Sequence, residues 1–158
     1  MPYIPTPLLI AGVLVNPFKD ILLLERKRKH SLGRYELPNK RVGDVGDAED
    51  INAPQRIIPM IRDTTWLRIS QLTTDVLRCK MQHEDGGLVK AALCAGVRFQ
   101  TCVTAQVNYD EHNGYIWASC EDIIAGNINV TELTRTCVSR LDSEFALSSQ
   151  LDRDDRTW

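Results

Sequence analysis

The adjacent residues Glu111 and His112, in the segment NYDEHNG, have the side chains that general acid–base catalysis uses. An imidazole titrates near neutral pH, and burial can raise the pKa of a carboxyl group towards the same range. Tyr109, two residues before Glu111, adds a phenol that could assist the pair. The alternative interpretation is a solvated hairpin loop without a catalytic role.

Glu36 is the second candidate acid or base, and it occurs in the segment YELP. This segment predicts a short strand, because a residue before proline, here Leu37, is biased away from helical dihedral angles. Side chains alternate along a strand, so Glu36 should point away from Tyr35 and Leu37, into a pocket or into solvent. In a pocket its carboxylate would be partly desolvated and suited to proton transfer. In solvent it would pair with Arg34 or Lys40.

Length and composition favour a single globular domain. The chain has 158 residues, of which 43% are hydrophobic and 25% charged, and a formal net charge of -2. One domain over residues 1–150 is therefore predicted, with a loose tail over 151–158. This charge offers no broad field to nucleic acid or anionic membrane, and no apolar run reaches the roughly 18 to 20 residues of a membrane span. We expect a cytoplasmic protein with a small-molecule partner, no nucleic-acid or membrane partner, and no cofactor.

The five cysteines are odd in number and include no C-x-x-C pair that would suggest a zinc site or redox exchange. We expect them to be buried reduced thiols. They are Cys79, Cys94, Cys102, Cys120 and Cys137.

The hydrophobic pattern predicts strands combined with two main helices. Apolar runs at 8–15 and 21–26 flank the turn signals of NPFKD and predict a β-hairpin. Helical spacing predicts one helix around 53–65, in spite of Pro59, and another around 131–146. Asp50 or Asn52 is the expected cap of the first helix, and Thr131 that of the second. The remaining predicted elements are a strand in YELP, a polar loop at 39–50, strands over 68–81 and 88–107, a strand at YIWA and a helical turn capped by Ser119.

This order of elements, together with four local matches, resembles the Nudix superfamily, and more closely the fungal small Nudix-like proteins. ILLLER, with Arg26 at its basic end, looks like the second strand of that family, and GRYELPNK is similar to the stretch usually written G-x-W-E-L-P-G-G. DEH is similar to a Glu-His pair that many fungal members place before a tryptophan strand, and YIWASCEDI is similar to that strand and its following helix. The resemblance spans about residues 8–145. It implies an α/β fold, namely a Nudix-like α/β/α sandwich around a mixed β-sheet.

The metal-binding motif of this family is degenerate in the sequence. The motif, G-x5-E-x7-R-E-U-x-E-E-x-G-U with U a bulky aliphatic, places glutamates on one helix face, where they hold divalent cations against a diphosphate. Aligning TTWL with its end puts Pro59 at the arginine and Met60 at the first glutamate. Asp63 and Thr64 fall on the paired glutamates, and Trp66 falls on the glycine. We therefore predict no tight metal site. The loop carboxylates that could join Asp63 in binding one hard cation weakly are Asp44, Asp47, Glu49 and Asp50.

The resemblance also implies which residues contact a substrate. In this fold the cavity is walled by the sheet, by the strand carrying YEL and by the loop before the tryptophan strand. That loop would bring Tyr109, Asp110, Glu111 and His112 to the mouth of the cavity. Met60 and Trp66 would make the cavity more apolar, with Trp66 filling space that phosphates occupy in the hydrolases. Core packing is the alternative for Trp66. The predicted substrate-binding residues are Arg26, Tyr35, Met60, Trp66 and Trp117.

Three functions are consistent with these observations. The first is a metal-independent enzyme that isomerises, cyclises, eliminates from or opens a ring in a small apolar metabolite, by analogy with fungal secondary metabolism. The second is a hydrolase of a diphosphate-linked substrate with an improvised metal site. The third is a non-catalytic binding or regulatory module that could form a homodimer.

Overall fold

The computed structural model describes residues 6–27, 33–47, 51–82 and 88–147. The predicted tail at 151–158 and the loop carboxylates Glu49 and Asp50 lie outside these ranges, and the side chain of Asp47 is likewise not described.

Four strands form the first part of a seven-stranded mixed sheet. Strand β1 (Pro7–Val15) lies between β4 (Asn39–Asp44), to which it is antiparallel, and β6 (Leu88–Arg98), to which it is parallel. Strand β5 (Leu77–Gln82) pairs with β6 in the antiparallel sense. The parallel pair makes this sheet mixed, as predicted.

Three strands form the second part. Strand β2 (Asp20–Arg26) lies between β3 (Tyr35–Glu36) and β7 (His112–Ser119), and both pairings are antiparallel. The two parts join at the β1–β2 turn, where Val15 pairs with Ile21. Beyond this turn the two hairpin strands take different partners.

Helices cover both faces of the sheet. Helix α1 (Ala53–Thr65) packs on the face to which β1 turns Leu8, Ile10 and Leu14. Helices α2 (Cys120–Ala125) and α3 (Glu132–Phe145) belong to the opposite face, where the alternate β1 side chains lie. The predicted α/β/α sandwich is confirmed. No helix among the described residues combines the length and apolar character needed to cross a membrane.

Helix α1 depends on packing more than on local sequence signals. Asn52 stands at its cap position but makes no side-chain capping hydrogen bond, and Pro59 lies inside the helix. Proline in a helix interior removes a backbone donor and costs about 3 kcal/mol. Ile57 and Ile61 are fully buried against the sheet, so their burial offsets this cost. By contrast, Ser119 and Thr131 accept capping bonds as predicted.

Three predicted elements were wrong in part, whereas strands do occupy Leu77–Gln82 and Leu88–Arg98. Residues 39–44 form strand β4 rather than a loop; polar residues suit it because it is the edge of the first part of the sheet. Residues 68–76 form no strand; the hydroxyls of Thr73 and Thr74 instead accept hydrogen bonds from Arg98 and Gly96 at the end of β6. Beyond Arg98, residues 99–111 are irregular.

Four of the five cysteines are buried, as predicted, whereas Cys102 is exposed. The sulfur atoms of Cys79, Cys94 and Cys137 lie within 4.8 Å of one another in the core beneath α3. Cys79 Sγ and Cys94 Sγ are 3.5 Å apart, a distance typical of a thiol contact and not of a bond.

The substitution Ile61→Ala tests the docking of α1. A Cβ built on Gly12 of β1 would lie 2.8 Å from Ile61 Cδ1, so the helix and the sheet are closely packed here. We expect Ile61→Ala to lower the free energy of unfolding by about 2–5 kcal/mol in urea denaturation. The exposed Gln55→Ala on the same helix should change it by less than about 0.5 kcal/mol. Equal effects of the two variants would contradict this packing.

Candidate active site

A cavity of about 780 Å³ opens between the C-terminal part of α1, the ends of β2, β3 and β4, and the segment before β7. Apart from Met60, every residue that lines it is charged or polar. The lining residues are Arg26, Lys27, Glu36, Asn39, Lys40, Arg41, Met60, Asp63, Thr64, Asn108, Asp110, Glu111 and His112.

Strand register brings three of these side chains together. Glu36 of β3 lies opposite Leu24 of β2, whose side chain belongs to the core beneath α1. Cross-strand partners share a face, so Glu36 is directed to that side as well. Arg26 lies opposite His112, because a β-bulge leaves Asn113 without a partner. The bulge therefore places His112, rather than Asn113, on the face with Arg26 and Glu36.

The imidazole of His112 and the carboxylate of Glu36 form the central contact of the site. His112 Nε2 lies 2.9 Å from Glu36 Oε2, and Arg26 Nε lies 3.6 Å from Glu36 Oε1. His112 is only 8% exposed. When Glu36 is ionised its carboxylate can only accept, and in that state the Nε2–H group of His112 is the donor. The candidate acids and bases Glu36 and His112 are thus joined, although the sequence suggested Glu111 as the partner of His112.

Glu111 and Tyr109 belong to an exposed turn at the mouth of the cavity. The backbone N–H groups of Glu111 and His112 both donate to the Asn108 carbonyl at 2.9 Å, which closes the turn. Lys27 Nζ donates to the carbonyl of Tyr109 and ties the turn to the end of β2. Glu111 lines the cavity, whereas Tyr109 does not.

Two of the five predicted substrate-binding residues, Arg26 and Met60, line the cavity. Tyr35 packs on the α3 face instead; burial, followed by the nearby Glu25 carboxylate, raises the pKa of its phenol. Trp117 packs at the edge of the core beneath α1. Trp66 is 68% exposed and lies in a neighbouring hollow, so it neither fills the cavity nor packs in the core.

The cavity is charged, so the expectation of a largely apolar site was wrong. Sequence reasoning missed Lys40 and Arg41 because it predicts a polar loop at 39–50, whereas β4 carries both residues along the cavity. Lys27 was missed because it directly follows β2. The one available signal was the density of basic residues around the two ends of YELP.

The carboxylates of the cavity do not fit a cluster of divalent cations. Asp63 is the one acid that α1 presents to the cavity, and its Oδ1 lies 3.6 Å from Arg62 Nε on the exposed surface. Thr64 donates its hydroxyl to the Met60 carbonyl at 2.8 Å. Among the described residues, the group of three potential ligand atoms that lie within 4.8 Å of one another is formed by Cys79, Cys94 and Cys137. The carboxylates of the cavity form no such group. Asp44, another predicted weak ligand, pairs with Arg41 at 2.9 Å.

Comparison with known proteins finds similarity in structure alone. No protein-family model matches the sequence, and no curated protein matches it. A MutT protein from Methanosarcina mazei Go1 superposes with a TM-score of 0.64 at 18% identity, over 91% of this chain and 98% of that chain. A C. elegans Ap4A hydrolase has a TM-score of 0.65 at 16% identity, over 89% and 98%. The NUDIX domain of Shewanella oneidensis NrtR, complexed with ADP ribose, has a TM-score of 0.65 at 12% identity, over 90% of each chain.

These three structures match about nine-tenths of this chain. Their sequence identities of 12–18% show a shared fold. They agree with the resemblance carried by ILLLER, GRYELPNK and YIWASCEDI. The chain therefore has the fold of the MutT and Nudix hydrolases.

Proposed function

We propose that the chain is an enzyme that hydrolyses a small molecule containing a phosphate or diphosphate linkage. The observation that carries the proposal is the hydrogen-bonded pair of Glu36 and His112, which lies in one cavity with a cluster of cationic side chains. Hydrolysis is also the chemistry named for the Ap4A hydrolase that shares this fold.

The cavity is lined by charges of both signs. Its basic wall consists of Arg26 and Lys27 at the end of β2 and Lys40 and Arg41 on β4. The acids Asp63, Asp110 and Glu111 come from α1 and from the mouth turn. Phosphate oxygens bind best to guanidinium and ammonium groups, so the substrate phosphate lies against the basic wall.

Glu36 and Glu111 carry out the proton transfers of the reaction, and His112 positions Glu36. Glu36 takes a proton from a water molecule as the water oxygen attacks phosphorus. The contacts of Glu36 with His112 and Arg26 hold its carboxylate in place. The bond between phosphorus and the leaving oxygen breaks, and Glu111 at the mouth, which enters this step in its protonated form, gives its proton to that oxygen. Solvent at the open mouth then takes the proton from Glu36 and returns one to Glu111. The basic wall neutralises charge that develops on the phosphate.

The divalent cations that the fold family implies have no step in this scheme. Their ligands in that family are glutamates on the helix that corresponds to α1, where this chain has Met60, Asp63 and Thr64. Cationic side chains stabilise negative charge on phosphate groups in other enzymes, and in this scheme the basic wall has that role in place of divalent cations.

A second candidate is metal-independent isomerisation, cyclisation, elimination or ring opening of a small metabolite. It is favoured by the same Glu36–His112 pair and by the poor fit of α1 to metal ions. The two candidates differ in the fate of water. Turnover in water enriched in oxygen-18 labels the product of hydrolysis, whereas an isomerisation leaves the product mass unchanged.

The substitution Glu36→Gln tests the acid–base pair. It preserves side-chain shape and removes the capacity to take up a proton. On a substrate found by screening phosphate esters and diphosphates for phosphate release, we expect kcat to fall about 10²- to 10⁴-fold. KM should change little, because the basic wall stays intact. Glu111→Gln should also lower kcat through loss of the leaving-group acid.

Asp63→Asn is the matched control, because it changes a carboxylate of the same cavity on the helix that holds metal ions in the fold family. We expect nearly unchanged kcat. Loss of activity in Asp63→Asn with normal rates in both glutamine variants would assign the chemistry to α1 and overturn the proposal.

Divalent cations provide an independent prediction. Calorimetric titration with magnesium and manganese should show no site of micromolar affinity, and turnover should persist in excess EDTA. The physical reason is that Asp63 offers one exposed carboxylate, whereas tight sites for these ions need several oxygen ligands. A micromolar site that disappears in Asp63→Asn would revive the metal-dependent hydrolase.

A further inference from the structure

A second hollow of about 670 Å³ adjoins the charged cavity. The two hollows share the lining residues Asp63 and Asn108, so they are neighbours on the surface. We call this hollow the aromatic annex, after the two exposed rings among its residues. Its lining residues are Arg62, Asp63, Trp66, Arg68, Gln106, Val107, Asn108 and Tyr109.

Trp66 occupies its position at a cost to stability. It ends α1 in the left-handed conformation, with φ of 62°, and its N–H donates to the Arg62 carbonyl at 2.8 Å. Glycine is the favoured residue at such a helix end, because a side chain makes this conformation unfavourable. Trp66 is 68% exposed, so burial of its side chain offsets little of this unfavourable backbone energy. Strained residues of this kind cluster at ligand sites.

Tyr109 presents the second ring of the annex and is also 68% exposed. Its backbone is anchored, because its carbonyl accepts from Lys27 Nζ. The segment that carries it is tied to the end of α1, where the Gln106 N–H donates to the Thr65 carbonyl at 2.9 Å. Both rings therefore stand on fixed backbone at the rim of one hollow.

We propose that the aromatic annex binds a planar aromatic group of the substrate, whose phosphate lies against the basic wall. The inference rests on the proposed function for the placement of the phosphate. Stacking on Trp66 and Tyr109 favours a flat π-system over a saturated group of equal size, and the guanidinium groups of Arg62 and Arg68 can also stack on such a ring.

Phenyl phosphate and cyclohexyl phosphate are matched probes, because they carry the same charge on rings of similar size. In calorimetry the wild-type chain should bind phenyl phosphate about 3- to 10-fold more tightly than cyclohexyl phosphate. Trp66→Gly and Tyr109→Ala should each remove most of this preference, and Trp66→Phe should retain it. Phe18→Ala is the matched control, since Phe18 is equally exposed, at 68%, on the remote β1–β2 turn.

The melting temperature separates a binding role from a structural one. Glycine is favoured at the left-handed end of α1, so Trp66→Gly should melt at or above the wild-type temperature while losing the aromatic preference. A large drop in melting temperature would show that Trp66 serves packing and would overturn the proposal. Persistence of the preference in both Trp66→Gly and Tyr109→Ala would overturn it equally.

Inorganic pyrophosphate distinguishes failure of this inference from failure of the proposed function. If pyrophosphate binds and the two ring probes bind equally, the annex proposal is wrong and the phosphate site stands. If pyrophosphate does not bind, the phosphate site is wrong, and uncharged benzyl alcohol against cyclohexylmethanol tests the annex alone. A preference for benzyl alcohol that Trp66→Gly removes would support the annex, and equal binding would overturn it.

Discussion

The site depends on the separation of the two strands of the first hairpin. Strands β1 and β2 pair where Val15 meets Ile21, and then each takes a different partner. The chain from Tyr35 to Asp44 enters between them, pairing first with β2 as β3 and then with β1 as β4. The Gly12 N–H donates to the Pro38 carbonyl at 3.0 Å where this chain crosses over. One excursion of the backbone thereby carries both Glu36 and the β4 half of the basic wall into the cavity.

The contact between the buried His112 and the half-buried Glu36 satisfies an electrostatic requirement. A polar side chain as buried as His112 is costly unless it is hydrogen-bonded, and a carboxylate needs further partners. Glu36 meets this requirement through contacts on both of its oxygens, to His112 and to Arg26. A substitution that removes one of these hydrogen-bonding side chains leaves the others unsatisfied, so the effects of such substitutions on the free energy of unfolding should not be additive.

The similar solved structures share the scaffold, and a scaffold does not determine chemistry. In this chain α1 packs on the sheet through Ile57 and Ile61 and turns Met60, Asp63 and Thr64 to the cavity. The groups suited to proton transfer lie instead on β3 and β7. In the proposed function the helix therefore has a packing role, and the strands carry the proton-transfer groups.

Sequence alone was sufficient for the features that local physics controls. Apolar periodicity located α1 and α3, alternation in YELP directed Glu36 away from Tyr35, and the caps at Ser119 and Thr131 followed from side-chain chemistry. The Nudix-like sandwich followed from the order of these elements together with the motif matches.

The tertiary structure alone decided how the site residues meet, because their contacts join segments that are far apart in sequence. The bulge opposite Arg26 turns His112 towards Glu36, 76 residues away, and no local signal encodes that register. Pairing with β1 turned a polar stretch into β4 and made the cavity charged. Similarly, the left-handed end of α1 exposes Trp66, because backbone conformation at a helix end, and not residue type, sets the direction of a side chain.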